Sequence, residues 1–207
     1  GKSNKDEIFI KEFSLFENDN TLSIKDLQLT NNYKLDNIGN IQIDYIDKEN
    51  FDNKINIIKD NKDYKIVGDS FNINNLITEL LASKNSKKLN FFNKKYKVIF
   101  DIKKIYLDKN NISNNLKGFL ILNNNEISKL NLESEFSTKE KIKFTINTND
   151  NDEKVTTLFS NKAKPLVDRY KFIKGFNEGI LDFNSIKKNS TSKSTLKIYD
   201  FKLKELP

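Results

Sequence analysis

Apolar residues recur at every second position in segment after segment of this 207-residue chain. The alternation is strict at residues 41–45 and recurs at 98–102 and 142–146, where Ile, Val, Phe and Tyr alternate mainly with polar residues. A period of two places apolar side chains on one face of a β-strand and polar ones on the other. Clusters of Asn, Asp and Gly separate these segments at roughly ten-residue spacing, which is typical of an antiparallel meander. The sequence therefore predicts a mainly β fold.

The alternation changes phase at defined points. Ile8 and Ile10 are followed by Phe13 and Leu15, and a similar one-residue slip lies between Ile24 and Leu27. Such slips predict bulges or bends in long strands. Gly118 interrupts the most apolar strand, at residues 116–122, and predicts a bulge or a close backbone approach there.

Two segments have a helical period instead. Ile73, Leu76, Ile77, Leu80 and Leu81 fall on one helical face, and Asn72 precedes them as a candidate N-cap. We expect this helix to seal a sheet, since its polar face lacks the lysine density of membrane-surface helices. The second segment has an apolar face made by Leu166, Val167, Tyr170 and Ile173, with Pro165 in its first turn and Gly175 after its end.

Cysteine and histidine are both absent from the chain. Their absence excludes disulfides, the usual zinc sites and nucleophile–imidazole catalysis. The six glycines form no phosphate-binding or dinucleotide-binding motif. Asp150, Asp152 and Glu153 are oxygen ligands suited to Ca²⁺, but they lack the glycine and terminal glutamate of an EF-hand and fit a solvated turn. We therefore predict no enzyme activity, no cofactor and no metal site.

The net charge of +7 leaves several interpretations open. Arg169 is the one arginine, so lysine supplies nearly all of the positive charge, together with a high content of Asn and Ile. This composition is what an A/T-rich genome encodes, and it favours a solvated lysine-rich surface. The alternative is a functional basic patch that binds anionic lipid or nucleic acid.

Four segments in order resemble the AsmA-like superfamily of bacterial envelope proteins, in particular its large YhdP-type members. GDSFNINNLI (residues 68–77) is similar to the family's strand that ends before a helix. A meander of long strands follows at residues 100–136, and a helix–glycine–strand unit, AKPLVDRYKFIKGFNEGILDF, at residues 163–183. The closing strand, LKIYDFKLKELP (196–207), ends in proline as in the family.

The resemblance implies a long, curved antiparallel sheet that forms an open trough. It also implies that this chain is a slice of a bridge-like lipid-transfer protein that is anchored in the inner membrane and extends through the periplasm. Such proteins carry phospholipid to the outer membrane along an apolar groove and contribute to its biogenesis. The partners would be phospholipid and the two membranes rather than nucleic acid.

The chain is thus predicted to be one domain, residues 1–207, or a slice of a larger repetitive protein, and a sub-boundary would fall in the polar loop 84–95. Two rival functions from other classes are a closed β-sandwich module that binds another protein and a basic binder of single-stranded nucleic acid. The sequence makes no prediction of the oligomeric state. The residues predicted to face lipid are Phe100, Phe119, Ile121, Leu130, Leu132, Phe144, Ile146, Leu181 and Phe183.

Overall fold

The computed structural model describes residues 7–33, 35–74, 95–123, 126–170 and 173–204. The fold is mainly β: strands make up 72% of the described residues and form one large open sheet. Its strands are β1 (Glu7–Glu17), β2 (Asn20–Thr30), β3 (Leu35–Asn37), β4 (Asn40–Ile46), β5 (Asp52–Asp60), β6 (Asp63–Asn72), β7 (Tyr96–Tyr106), β8 (Ile112–Asn123), β9 (Glu126–Glu135), β10 (Lys141–Thr148), β11 (Lys154–Ser160), β12 (Phe176–Lys188) and β13 (Thr191–Leu203).

The strands follow one another across the sheet in chain order, from β1 at one edge to β13 at the other. The short β3 pairs only with β2 and lies off this path. All neighbours are antiparallel except β6 and β7, which pair in parallel over eight residue pairs. The prediction of a wholly antiparallel sheet is therefore wrong at this junction. The sheet is continuous across the segment 73–95, because β6 and β7 are direct neighbours.

Tight turns with Asn in the left-handed conformation connect several strands. Asn18, Asn61 and Asn189 have φ of 53°, 56° and 53°, and each opens a two-residue loop between paired strands. Asparagine tolerates this conformation better than most residues because its short side chain hydrogen-bonds locally. These turns fix the register of the hairpins and so decide which face each side chain occupies.

The phase change predicted in β2 lies at a left-handed residue. Asp26 in β2 has φ 52°, and neither Asp26 nor Lys11 opposite it appears in the β1–β2 ladder. The β1–β2 ladder is thus interrupted at the predicted slip in TLSIKDLQL, although its register is the same on both sides. Asn115 in β8 and Asp200 in β13 are two further left-handed residues inside strands, with φ of 55° and 54°.

Helix α1 spans Lys164–Tyr170, and it is the one helix for which the described ranges give bounds. It carries Pro165 in its first turn as predicted, and Gly175 beyond it has φ 70°. Val167 is fully buried and packs with Ala163, Phe176 and Leu181. The other predicted helix, from Ile73 to Leu81, lies outside the described residues from position 75 onward, as does most of loop 84–95.

Candidate functional site

A single row of apolar residues crosses the whole sheet in register. Each member is the direct cross-strand partner of the next, so all twelve side-chain positions lie on the same face. We call it the apolar row. It consists of Phe13, Ile24, Ile41, Ile57, Ile66, Phe100, Gly118, Leu132, Phe144, Leu158, Phe183 and Leu196.

No member of the apolar row is fully buried. The ten inner members are half-buried, and the end members Phe13 and Leu196 are 44% and 45% exposed. Five of the inner members pack against the buried core clusters, yet the row keeps part of its apolar surface exposed along its whole length. A long exposed apolar surface marks a site for an apolar partner. The row is therefore the candidate functional site.

The structure brings seven of the nine predicted lipid-facing residues to one face. Four of them, Phe100, Leu132, Phe144 and Phe183, belong to the apolar row. The other three lie two residues away along strands β9, β10 and β12 and point to the same side; they are Leu130, Ile146 and Leu181.

Phe119 and Ile121 lie on the opposite face, and their predicted place beside the other seven is wrong. Gly118 occupies the row position in β8, so the odd-numbered neighbours point away from it. The ammonium groups of Lys97 and Lys129 lie 5.4 and 5.9 Å from the Phe119 ring centroid. Phe119 is therefore covered by lysine side chains on the polar face.

Sequence reasoning missed the other eight members of the apolar row. They are Phe13, Ile24, Ile41, Ile57, Ile66, Gly118, Leu158 and Leu196. The alternation that identifies most of them was visible in the sequence, but the first five precede residue 68, where the segments that resemble the family begin. Their registration with the second half depends on the parallel pairing of β6 and β7, which no local pattern encodes.

One side of the apolar row is closed by buried packing. Ile55, Ile102 and Leu116 pair across β5, β7 and β8 through Gly68 and are at most 7% exposed. Further along the sheet, helix α1 covers Leu181 and Phe176. The row therefore borders on a packed core at this end of the strands.

Arg169 joins α1 to the distant strands β6 and β7. Its guanidinium donates hydrogen bonds to the carbonyl oxygen of Leu107 at 2.8 Å and to the side-chain and backbone oxygens of Asn74 at 2.7 and 3.0 Å. Leu107 follows β7, whereas α1 follows β11, four strands further along the sheet. The one arginine of the chain thus spans the packed end of the apolar face.

A polar network fixes the point where the chain leaves β6. The Asp47 carboxylate accepts hydrogen bonds from the Asn72 amide at 2.6 Å and from two backbone N–H groups of its own turn. Although partial burial opposes ionisation, these bonds lower the pKa of Asp47 below its usual value. Asn72 in turn accepts the N–H of Asn74, as an N-cap does. The helix that Asn72 is predicted to cap lies outside the described residues from position 75 onward, so its capping role stays a prediction.

The opposite face of the sheet carries charges of both signs. One register row there runs Asp101, Lys117, Glu133 and Lys143 across four strands. Lys103 forms an ion pair with Asp69 at 2.7 Å. Along these strands the carboxylates interrupt the positive potential, which disfavours a continuous track for a nucleic-acid backbone.

No helix among the described residues is long and apolar enough to cross a membrane. We found no family model, no curated protein and no solved structure that matches this chain.

Proposed function

We propose that the apolar row lines a groove that binds the acyl chains of phospholipid and lets them move across the strands. The observation that carries this proposal is the continuity of the row, which runs through twelve strands without a polar side chain and without complete burial. With strands about 4.8 Å apart, eleven intervals make a path of about 53 Å. Such a path is longer than the hydrocarbon core of a bilayer, which is about 30 Å thick.

The Arg169 contacts support a groove rather than a flat surface. In a flat sheet, β7 and β11 would lie about 19 Å apart, because four intervals of about 4.8 Å separate them. A short helix and one arginine side chain bridge that separation on the apolar side. A bend of the sheet toward its apolar face would shorten this span, and we infer that the row lies on the concave side of a trough.

Acyl-chain transfer suits the chemistry of the row. Aliphatic and aromatic side chains offer dispersion contacts to hydrocarbon at any position along the row and have no directional preference. A hydrocarbon chain can therefore slide without breaking hydrogen bonds. By analogy with the family that the sequence resembles, we place the chain in the bacterial periplasm, within a protein that is anchored in the inner membrane and delivers phospholipid to the outer membrane.

The proposal is tested by native mass spectrometry of the purified protein with lipid extraction from the same sample. We expect phospholipid at defined stoichiometry in the native protein and its loss in Phe144→Asp, because a carboxylate is costly to place against hydrocarbon. Phe119→Asp is the matched control, since it makes the same exchange on the opposite face and should keep the lipid.

A second, milder variant tests the row in case Phe144→Asp does not fold. Phe13→Asp alters an exposed end of the row, so we expect it to fold and to slow transfer of fluorescent phospholipid between vesicles. Lipid-free native protein, or equal lipid loss from Phe144→Asp and Phe119→Asp, would contradict the proposed function.

A further inference from the structure

One corner of the apolar face changes from apolar to polar in two steps. The members of the apolar row in the last three strands are Leu158, Phe183 and Leu196. Two residues along each strand, on the same face, lie three hydroxyl residues that are cross-strand partners: Thr156, Ser185 and Ser194. Two residues further lie Lys154, Lys187 and Ser192, which are also partners in register. We call these two sets the hydroxyl layer and the lysine layer.

The register between the apolar row and the lysine layer is uninterrupted. The ladders of β11 with β12 and of β12 with β13 contain every residue pair between the two. The Ser185 hydroxyl accepts a hydrogen bond from that of Ser194 at 2.8 Å and lies 3.2 Å from that of Ser192, so the three serines lie on one side of the sheet. Because a strand alternates its faces with a period of two, Lys154 and Lys187 leave the sheet on the side of the apolar row.

The neighbouring strands keep the corresponding positions apolar. The residues of β7 to β10 that are in register with the hydroxyl layer are Val98, Leu120, Leu130 and Ile146. The face therefore changes its chemistry between β10 and β11.

The two lysines of the lysine layer have no counter-charge between them. They are direct partners in the ladder of β11 and β12, where like charges destabilise a sheet. Within the described part of the chain neither lysine forms an ion pair. Lys154 is half-buried, whereas Lys187 is exposed. An anion between the two ammonium groups would remove their repulsion.

The carboxylates of the turn before β11 do not take this place. Glu153 precedes Lys154 in the chain but is paired with Lys188, at 3.6 Å. Asp150 and Asp152 are exposed in the turn itself.

The charge that does act on Lys154 from a carboxylate comes from Glu126, at the start of β9. Burial lowers the pKa of Lys154 below its usual value, Glu126 acts against this, and Lys187 lowers the pKa further. Since the pKa stays lowered, Glu126 does not offset burial and the repulsion from Lys187 together.

We propose that the lysine layer binds the phosphate group of a phospholipid whose acyl chains lie on the apolar row, and that the hydroxyl layer faces its glycerol esters. The lipid as the source of the phosphate rests on the proposed function. At about 3.4 Å per residue, the hydroxyl layer lies about 7 Å from the row and the lysine layer about 14 Å. The step of about 7 Å between the two layers matches the head-group region of one bilayer leaflet, which is about 5–8 Å thick. Lysine binds phosphate as a point charge, and hydroxyl groups donate to ester oxygens.

The test compares three probes: phosphatidic acid, diacylglycerol with the same acyl chains, and sn-glycerol 3-phosphate. In a mixed-micelle competition we expect the native protein to take up phosphatidic acid about tenfold better than diacylglycerol, since one charge-assisted hydrogen bond contributes about that factor. Lys154→Gln/Lys187→Gln should abolish this preference and leave diacylglycerol uptake unchanged. Lys154→Arg/Lys187→Arg keeps the charge and should keep the preference.

The matched control is Lys143→Gln/Lys197→Gln. Both lysines are exposed and belong to one register row of the polar face, through Phe159 and Asp182. This variant removes the same net charge and should keep the preference for phosphatidic acid. Loss of the preference in the control as well would assign it to the overall charge of the protein and overturn the inference.

The remaining outcomes separate this inference from the proposed function. Equal uptake of the two lipids, or a preference that survives Lys154→Gln/Lys187→Gln, would overturn the lysine layer as a phosphate site and leave the groove intact. Binding of sn-glycerol 3-phosphate alone, lost in the same variant, would support the phosphate site, assign it to a soluble ester and refute the groove. Binding of none of the three probes would refute both.

Discussion

Replacing Gly118 by alanine should strongly destabilise the sheet at the middle of the apolar row. Gly118 has φ 141°, which side chains rarely adopt, and an added Cβ would lie 1.9 Å from the carbonyl oxygen of Asn131. The next nearest atoms are the Asn131 carbonyl carbon and Leu132 Cα, at 2.9 and 3.0 Å. All three belong to the backbone of β9, so no side chain can move aside to make room.

The expected cost has two parts. Holding a non-glycine residue in this conformation costs about 1–3 kcal/mol. Moving β9 away to admit the methyl group weakens about two ladder hydrogen bonds, which contribute about 0.5–1.5 kcal/mol each. The free energy of unfolding should therefore fall by about 2–6 kcal/mol, a large part of the stability of an ordinary domain.

Urea unfolding followed by circular dichroism measures this change. With a denaturant slope of about 2–3 kcal/mol per molar, the midpoint should fall by about 0.7–3 M. Lys117→Ala, one residue away and exposed, is the control and should change the free energy by no more than about 0.5 kcal/mol. A Gly118→Ala midpoint equal to that of Lys117→Ala would refute the close approach of β8 and β9.

Two further predictions concern the polar contacts at the packed end of the sheet. The pKa of Asp47 in the folded state lies below its usual value of 3.8. Ionised Asp47 therefore stabilises the fold at pH values above 3.8, and this stabilisation is lost as the pH falls through the folded-state pKa. Lowering the pH from neutral to about pH 3 should reduce the urea midpoint more in the native protein than in Asp47→Asn; equal acid sensitivity would contradict the role of this carboxylate. Arg169→Gln removes donors from the oxygens of Leu107 and Asn74 and should cost about 2–4 kcal/mol, with faster amide exchange in α1. Arg169→Lys should restore only part of this loss, because an ammonium cannot reproduce the planar fork, and full restoration by lysine would argue against the bridge.

Much of the fold could be predicted from local sequence. Period-two alternation identifies a strand wherever one face is apolar, and the Asn-rich clusters mark the hairpin turns. The helix at Lys164–Tyr170 was predictable because its apolar spacing, its proline and its following glycine agree. The slip at Asp26 was visible as a phase change, but the left-handed residue that causes it was not.

The candidate site was only partly predictable from the sequence, because the pairing with neighbouring strands decides which side of the sheet each residue of a strand points to. In the run Gly118-Phe119-Leu120-Ile121-Leu122, both alternating sets are apolar, so periodicity cannot choose between Phe119 and Leu120. The partners of Gly118, which are Phe100 and Leu132, decide that Leu120 shares the face of the row and that Phe119 does not.

The sequence by itself determined that this chain forms many half-apolar strands, because alternation and turn chemistry act within a few residues. Tertiary structure alone decided that the strands make one open sheet with a single apolar row. That outcome depends on the parallel junction of β6 and β7. Arg169 adds a second long-range contact, to Leu107 across four strands. These contacts join residues far apart in the chain. An alternation with a period of two residues identifies a strand but carries no information about which distant strand pairs with it.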